Sequence, residues 1–306
     1  VAKTLTVGRW VPMLLVALHA CAALAQTEGL QELNGTVLYV KTEGTGTPIV
    51  AVHGGPGLSH HYLAPQLGKL SKWFQVTFYD QRASGQSATP APDEITLRTF
   101  AGDVDAIRKK LGHDQIYLLA HSWGALPAIK YGLLYPEQVK GIIFCNPIPF
   151  SREYDGEMAA AQQAKMSGAD STNRSLILGS PGFKAGEAAA YKKLLLLSFR
   201  HSFYKESNFS KLDLDVPDNY QAASQALYKG LGKELRAYDY YDSIKNFAFP
   251  VLILRGAVDV VPQAAYQRMM DALPTATLKV FRKSGHFIFM EQNRKFNRAV
   301  RKFVHR

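Results

Sequence analysis

At 306 residues the chain is long enough for one large α/β domain or two ordinary domains. Its 47% hydrophobic and 20% charged residues are ordinary for a soluble globular protein. A formal charge of +11 is of the sign that suits a polyanion, but much of the surplus sits at Arg294, Lys295, Arg298, Arg301, Lys302 and Arg306. At helical spacing around Phe296, Val300 and Phe303 these charges read as a solvated helix face, so no nucleic-acid partner is expected.

The N-terminus stands apart. Lys3 and Arg9 precede an apolar run from Trp10 to Ala25 that closes on Ala23-Leu24-Ala25. A basic start, a short apolar core and Ala-x-Ala make a secretory signal over residues 1–25, cleaved after Ala25. The run is short for a bilayer span, so the expectation is a secreted or periplasmic protein with no stable membrane insertion after cleavage. Leu18-His19-Ala20-Cys21 faintly resembles a lipoprotein cleavage site and is kept as an alternative. Cleavage after Ala25 removes Cys21, leaving Cys145 as the only cysteine and excluding an internal disulfide. It also removes Lys3 and Arg9 and lowers the formal charge to +9. Cys145 ends the run "GIIFCN" and reads as a buried, inert thiol.

From residue 26 onward short β-type runs alternate with helical patterns, predicting a mostly parallel sheet. The strands are expected at 36–41, 49–52, 75–80, 116–120, 141–145, 250–256 and 277–282. Leu97, Phe100, Val104, Ile107 and Leu111 step by three and four, predicting an amphipathic helix closed by Gly112. A last helix is expected over 291–304. The rhythm breaks from 147 to 245, where helical signals and aromatics dominate. That segment reads as a helical lid inserted over one edge of a core made of 26–146 and 246–306. Its aromatics are expected to form mainly the lid's own core.

The chemistry-bearing residues fall at strand ends. "IYLLAHSWGALPA" places Ser122 where a buried strand must turn sharply into a helix, a position where serine has poor propensity. The nearest pattern is Gly-x-Ser-x-Gly, a turn that lifts the serine oxygen above the sheet; here Ala120 replaces the first glycine and Gly124 keeps the second. Asp259 follows the apolar strand in "PVLILRGAVDVVP", and His286 follows the last strand in "LKVFRKSGHFIFMEQ". Sites in open α/β sheets form at carboxyl ends of strands, and the order Ser…Asp…His is that of α/β-hydrolases. In those roles His286 takes the proton of Ser122 and Asp259 fixes the imidazole tautomer.

"IVAVHGGPG" supplies a glycine-rich turn after a strand. One amide there, from Gly55 with Gly54 as competitor, would join that of Trp123 in an oxyanion hole. The turn lacks the Gly-Lys-Ser/Thr ending of a phosphate loop. No metal-ligand cluster and no cofactor motif stand out; His60 and His61 read as loop residues.

"HGGPG", "YDQRASGQS", "AHSWGA" and "SGHF", in this order, resemble the proline iminopeptidase group of α/β-hydrolases over nearly all of the chain after residue 30. The resemblance implies an α/β-hydrolase fold with a helical lid and release of N-terminal proline or small apolar residues from short peptides. It also implies that Asp80, Gln81 and Arg82 build the turn beside the site, with Asp80 and Arg82 in an ion pair supporting the loops. Ala120-His121 departs from the group's Gly-Gly and is as close to esterase-like relatives. An aminopeptidase of this group needs lid carboxylates for the substrate ammonium. Glu153, Glu157 and Glu206 are the candidates, Glu153 and Glu157 sharing a helix face. Glu187, Glu234 and Asp155 offer no firmer motif, and Ser224 stands where a glutamate would have served. A carboxylic-ester or lactone hydrolase with the same triad is therefore the alternative.

Overall fold

A computed structural model describes residues 27–305. The expected signal, with its cleavage after Ala25, lies outside the described residues. Eight strands form one sheet: β1 (Thr27–Leu33), β2 (Thr36–Glu43), β3 (Pro48–Val52), β4 (Gln75–Tyr79), β5 (Ile116–His121), β6 (Val139–Cys145), β7 (Val251–Gly256) and β8 (Ala276–Phe281). Their spatial order is β1-β2-β4-β3-β5-β6-β7-β8. β1 and β2 run antiparallel to each other and β2 to β4, while every other neighbouring pair is parallel. Seven strands lie within two residues of their expected bounds. β1 was not expected: its two leucines, Leu30 and Leu33, are three apart and make no apolar stripe on either face, and Leu30 is itself exposed. Its signal was the turn that follows, Asn34-Gly35, both at positive φ (49° and 72°), which suits a two-residue hairpin.

The central strands are apolar on both faces because both are covered. Val50, Val52, Leu118, Ala120, Ile142 and Phe144 face one core, with the helices α1 (Leu97–Lys110), α2 (Ala125–Leu134) and α7 (Gln263–Ala272) upon it. The alternate residues Ile49, Ala51, Leu119, Ile143 and Cys145 face the other, covered by Leu63, Leu67 and α8 (Asn293–Val304). Each large side chain so buried contributes about 1.5–3 kcal/mol. The charges at 294, 295, 298, 301 and 302 all lie on the exposed side of α8. Cys145 is free and buried, and burial pushes its thiol well up, so it is inert. Among the described residues no helix is long and apolar enough to cross a membrane.

Between β6 and β7 the chain makes no strand and folds as α3 (Asp155–Lys165), α4 (Gly168–Gly179), α5 (Ala188–Phe199) and α6 (Tyr220–Leu235) with short helices between them. Its aromatics do not form mainly a core of their own. Phe203 stacks on Phe287 at 4.9 Å and Phe199 meets the same ring edge-on at 5.5 Å. Ala223, Leu227 and Leu231 of α6 pack with Phe100 and Trp123 of the sheet domain. Rings also pair within the insertion, as in Phe183–Tyr191 at 4.6 Å and Tyr191–Tyr220 at 5.4 Å, but Phe199, Phe203, Phe209, Tyr238, Tyr240 and Tyr241 all join clusters shared with the sheet domain. The insertion is thus bonded into the face that carries the strand-end residues.

Candidate active site

The elbow is visible in the backbone. β5 ends at His121, Ser122 takes φ +54°, and a helical turn over Ser122–Gly124 leads into α2. Left-handed backbone at a non-glycine residue costs about 1–2 kcal/mol, and the turn presents the Ser122 side chain above the sheet. Gly124 is required by close approach, since a Cβ there would lie 2.4 Å from the Val52 carbonyl oxygen.

Asp259 and His286 meet as the order of the motifs implies. His286 Nδ1 lies 3.1 and 3.0 Å from the two Asp259 carboxylate oxygens. A carboxylate only accepts, so Nδ1 carries the proton and the Nε2 lone pair is left for Ser122. Ser122 and His286 border one small cavity with Gly55, Leu58, Tyr62, His121, Phe199, Leu214 and Phe287. Ser122 Oγ makes no hydrogen bond within the described residues.

The Asp259 side chain is 2% exposed. Burial alone would push its carboxyl up; the charge and hydrogen bond of His286, with Asn146 and the Val260 amide, outweigh this and hold it below the usual range. Asn146 Nδ2 donates to Asp259 Oδ2 at 2.7 Å and Val260 N to Oδ1 at 2.8 Å. Asn146 follows β6 at φ +45° and was not singled out in the sequence; a polar residue directly after an apolar strand was its only signal.

The two oxyanion candidates separate. The Gly54 amide donates to the Tyr62 hydroxyl at 2.7 Å and so is spent. The Gly55 amide, at φ +56°, donates to nothing within the described residues. Trp123 is second in its helical turn, where amides have no partner within the helix. Gly55 and Trp123 therefore keep free amides beside Ser122, whereas that of Gly54 is taken by Tyr62.

Gln81 secures this loop. It gives its backbone amide to His53 Nε2 at 3.0 Å and its side-chain amide to the His53 carbonyl at 2.7 Å, while accepting from Trp123 Nε1 at 3.2 Å. Asp80 and Arg82 do not pair with each other. Asp80 accepts from His60 at 2.7 Å, and the Arg82 guanidinium holds Asp103 with contacts of 2.8 and 2.5 Å. Both support loops beside the site, through separate partners. His60 is accordingly a buried partner of Asp80, whereas His61 is exposed beside Asp213. Among the described residues no group of three metal-ligating side chains gathers.

The lid carboxylates fall elsewhere. Glu153 is exposed and paired with Arg268, Glu157 is exposed on α3, and Glu206 is exposed beside Arg200. Glu234 accepts from the Leu97 amide at 2.8 Å, at the start of α1. None of them borders the cavity that holds Ser122 and His286. Each had a solvated or capping use that sequence spacing alone could not tell from a ligand role.

A carboxylate overlooked in the sequence, Glu291, does touch this region. Its Oε2 accepts from the Gly285 amide at 2.7 Å, one residue before His286. Its Oε1 accepts from the amides of Tyr204 and Lys205 and from Asn208 Nδ2 at 3.0–3.1 Å. The His286 amide donates to the Ser202 carbonyl at 2.7 Å. On the other side Lys165 Nζ donates to the Val258 carbonyl at 2.6 Å, next to Asp259. Nothing in "FMEQ" marks Glu291 as other than a surface residue.

With this geometry in view, the class is clear. A family model described as alpha/beta hydrolase fold matches residues 47–292, and the chain belongs to that family. Within it the chain resembles prolyl aminopeptidases. It is 28% identical over 282 residues to a proline iminopeptidase of Lactobacillus delbrueckii subsp. bulgaricus, covering 86% of this chain and 92% of that protein. Among solved structures it is similar to proline iminopeptidase of Mycobacterium smegmatis, with TM-score 0.67 and 20% identity over 91% of this chain and 98% of that one. It is as similar to a thermophilic esterase from Thermogutta terrifontis, with TM-score 0.65 and 22% identity over 90% and 98%. Both likenesses speak for the fold.

Proposed function

We propose that this hydrolase acts through an acyl-enzyme on Ser122. His286 Nε2 takes the Ser122 proton as Oγ attacks a carbonyl carbon, and the Gly55 and Trp123 amides hold the resulting oxyanion. His286 then gives the proton to the leaving group, the carbon–heteroatom bond breaks, and water repeats the sequence to release the acid and restore Ser122. The Asp259 carboxylate stabilises the imidazolium throughout. The observation that carries this reading is the His286–Asp259 pair facing a strained Ser122 across one cavity.

For the acyl donor we propose an N-terminal prolyl or small apolar residue of a short peptide. The proline iminopeptidase relatives, matched across most of both chains, support it. A specific observation favours a second reading, a carboxylic ester or lactone: among the described residues no carboxylate borders the cavity to pair with an α-ammonium. Hydrolysis of prolyl-nitroanilide, its N-acetylated form and nitrophenyl esters tests both. Selective cleavage of the free-amine anilide supports the peptidase. Equal rates on the two anilides, with faster ester cleavage, reject it in favour of the esterase.

A further inference from the structure

Tyr62 and His121 are buried at 3% and 2% exposure and stand between the three loops of the site. The Tyr62 hydroxyl accepts from the Gly54 amide at 2.7 Å and lies 2.8 Å from His121 Nδ1. His121 Nε2 lies 3.0 Å from the His286 carbonyl oxygen. Every proton in this row can be placed. A carbonyl only accepts, so His121 Nε2 carries the hydrogen. Nδ1 of the neutral ring is then an acceptor, and the Tyr62 hydroxyl must donate to it. The hydroxyl's remaining capacity takes the Gly54 amide. The opposite tautomer would set a lone pair against the His286 carbonyl and leave the Tyr62 proton without a partner.

We propose that Tyr62 and His121 are positioning residues of the hydrolytic reaction. A single directed row of donations, Gly54 amide to Tyr62 to His121 to His286 carbonyl, keeps oxyanion loop, elbow and base in register. The inference rests on the serine-hydrolase reading above. Gly54 precedes the free amide of Gly55, His121 precedes Ser122, and the row ends on the backbone of His286 itself. Gly55, Ser122 and His286 are therefore each one residue or less from a member of the row. Burial first, and the neighbouring His286 second, push His121 down to about 3, so the ring stays neutral and its polarity does not reverse. Burial pushes the Tyr62 hydroxyl up, which keeps its proton in place. The departure at position 121 from the Gly-Gly of the resembling group thus has a use. An imidazole there supplies an acceptor and a donor on opposite sides of one rigid ring.

The test combines catalysis with a signal that needs no substrate. Tyr62→Phe keeps the ring against Phe287 and Phe289, 6.1 and 6.3 Å away, and removes only the hydroxyl. Its kcat should fall about tenfold to a hundredfold, as for sub-ångström misplacement of reacting groups, with KM within about twofold. In nitrogen-15 spectra of the whole chain, His121 should be the neutral Nε2–H tautomer from pH 5 to 8. In Tyr62→Phe the His286 carbonyl still holds the proton on Nε2, but Nδ1 loses its donor, so the Nδ1 resonance should move toward that of an unbonded imidazole nitrogen. His121→Gln, whose amide offers an acceptor and a donor of the same polarity, should retain at least about fivefold more kcat than His121→Ala. The proposal is overturned if Tyr62→Phe keeps wild-type kcat, if only KM rises, or if the His121 Nδ1 resonance is unchanged. Should Tyr62→Phe fail to fold, equal kcat in the Gln and Ala variants overturns it. Failure of a phosphonate to label Ser122 in the wild type would instead overturn the serine-hydrolase reading, and the nitrogen-15 measurement, which needs no substrate, distinguishes the two.

Discussion

Asn146 donates to Asp259 Oδ2 at 2.7 Å while His286 Nδ1 reaches the same oxygen at 3.0 Å, so one buried oxygen serves both the neighbouring strand and the base. Two substitutions should separate these duties. Asp259→Asn should lower kcat by about 10⁴-fold by presenting the wrong imidazole tautomer. Asn146→Ala should lose about 1.5–3 kcal/mol of stability, the range for a hydrogen bond to a charged group, and only part of the activity. Asp242 is exposed and paired with Lys245, so Asp242→Asn should be close to neutral in both. Steady-state rates and urea unfolding measure all three; a crippled Asp242→Asn beside a mild Asp259→Asn would reverse the assignment.

Ser122→Ala should reduce turnover about 10⁴-fold or more, since the three groups act as a unit. The backbone adds a second expectation. At φ +54° alanine is strained and glycine is not, so Ser122→Gly should be more stable than Ser122→Ala by about 1 kcal/mol. Thermal melts of the two inactive variants decide the point, and an alanine variant equal to or above the glycine variant would contradict it.

Stability should fall on mild acidification. Burial pushes His53 down to about 4, and burial with His286 pushes His121 down to about 3, whereas unfolded imidazoles protonate near 6.5. Below 6.5 the unfolded chain therefore takes up protons that the native chain refuses, and native stability drops as pH falls. Each residue contributes about 1.4 kcal/mol per unit within its window, from 6.5 to about 4 and from 6.5 to about 3. Urea midpoints at pH 7, 5.5 and 4.5 should decline in that order. Constant midpoints would show that these rings titrate normally.

Glu291→Ala should leave the Gly285, Tyr204 and Lys205 amides without their shared acceptor. Hydrogen exchange should accelerate at 202–208 and 284–287 together, and kcat should fall about tenfold or more as His286 loses its backing. Exchange confined to 202–208, with unchanged kcat, would show that the base loop stands without the clasp.

Strand positions and the gathering of Ser122, Asp259 and His286 were legible because each is a local pattern: a continuous apolar run, or a polar residue at its carboxyl end. β1 was illegible because an edge strand wet on both faces has no hydrophobic period, and only Asn34-Gly35 marked it. Ala120-His121-Ser122 showed the elbow, but not that His121 answers to Tyr62, 59 positions away. Asn146 and Glu291 escaped for the same reason, since a hydrogen-bond partner 113 or 87 positions distant leaves no trace in spacing. The lid carboxylates show the converse. Charge and helical phase suggested a common face for Glu153 and Glu157, yet the nearer competitor for Glu153 was Arg268.

The clasps of Lys165 on the Val258 carbonyl, of the Ser202 carbonyl on the His286 amide, and of Tyr204, Lys205 and Asn208 on Glu291 bear on how this scaffold can be re-engineered. Residues 147–245 are not an interchangeable cassette. A foreign segment chosen only for the contour of its substrate face would arrive without the groups that brace the loops of Asp259 and His286. Grafts that carry over Lys165 and the 202–208 stretch should keep turnover while selectivity changes; grafts without them exchange one for the other.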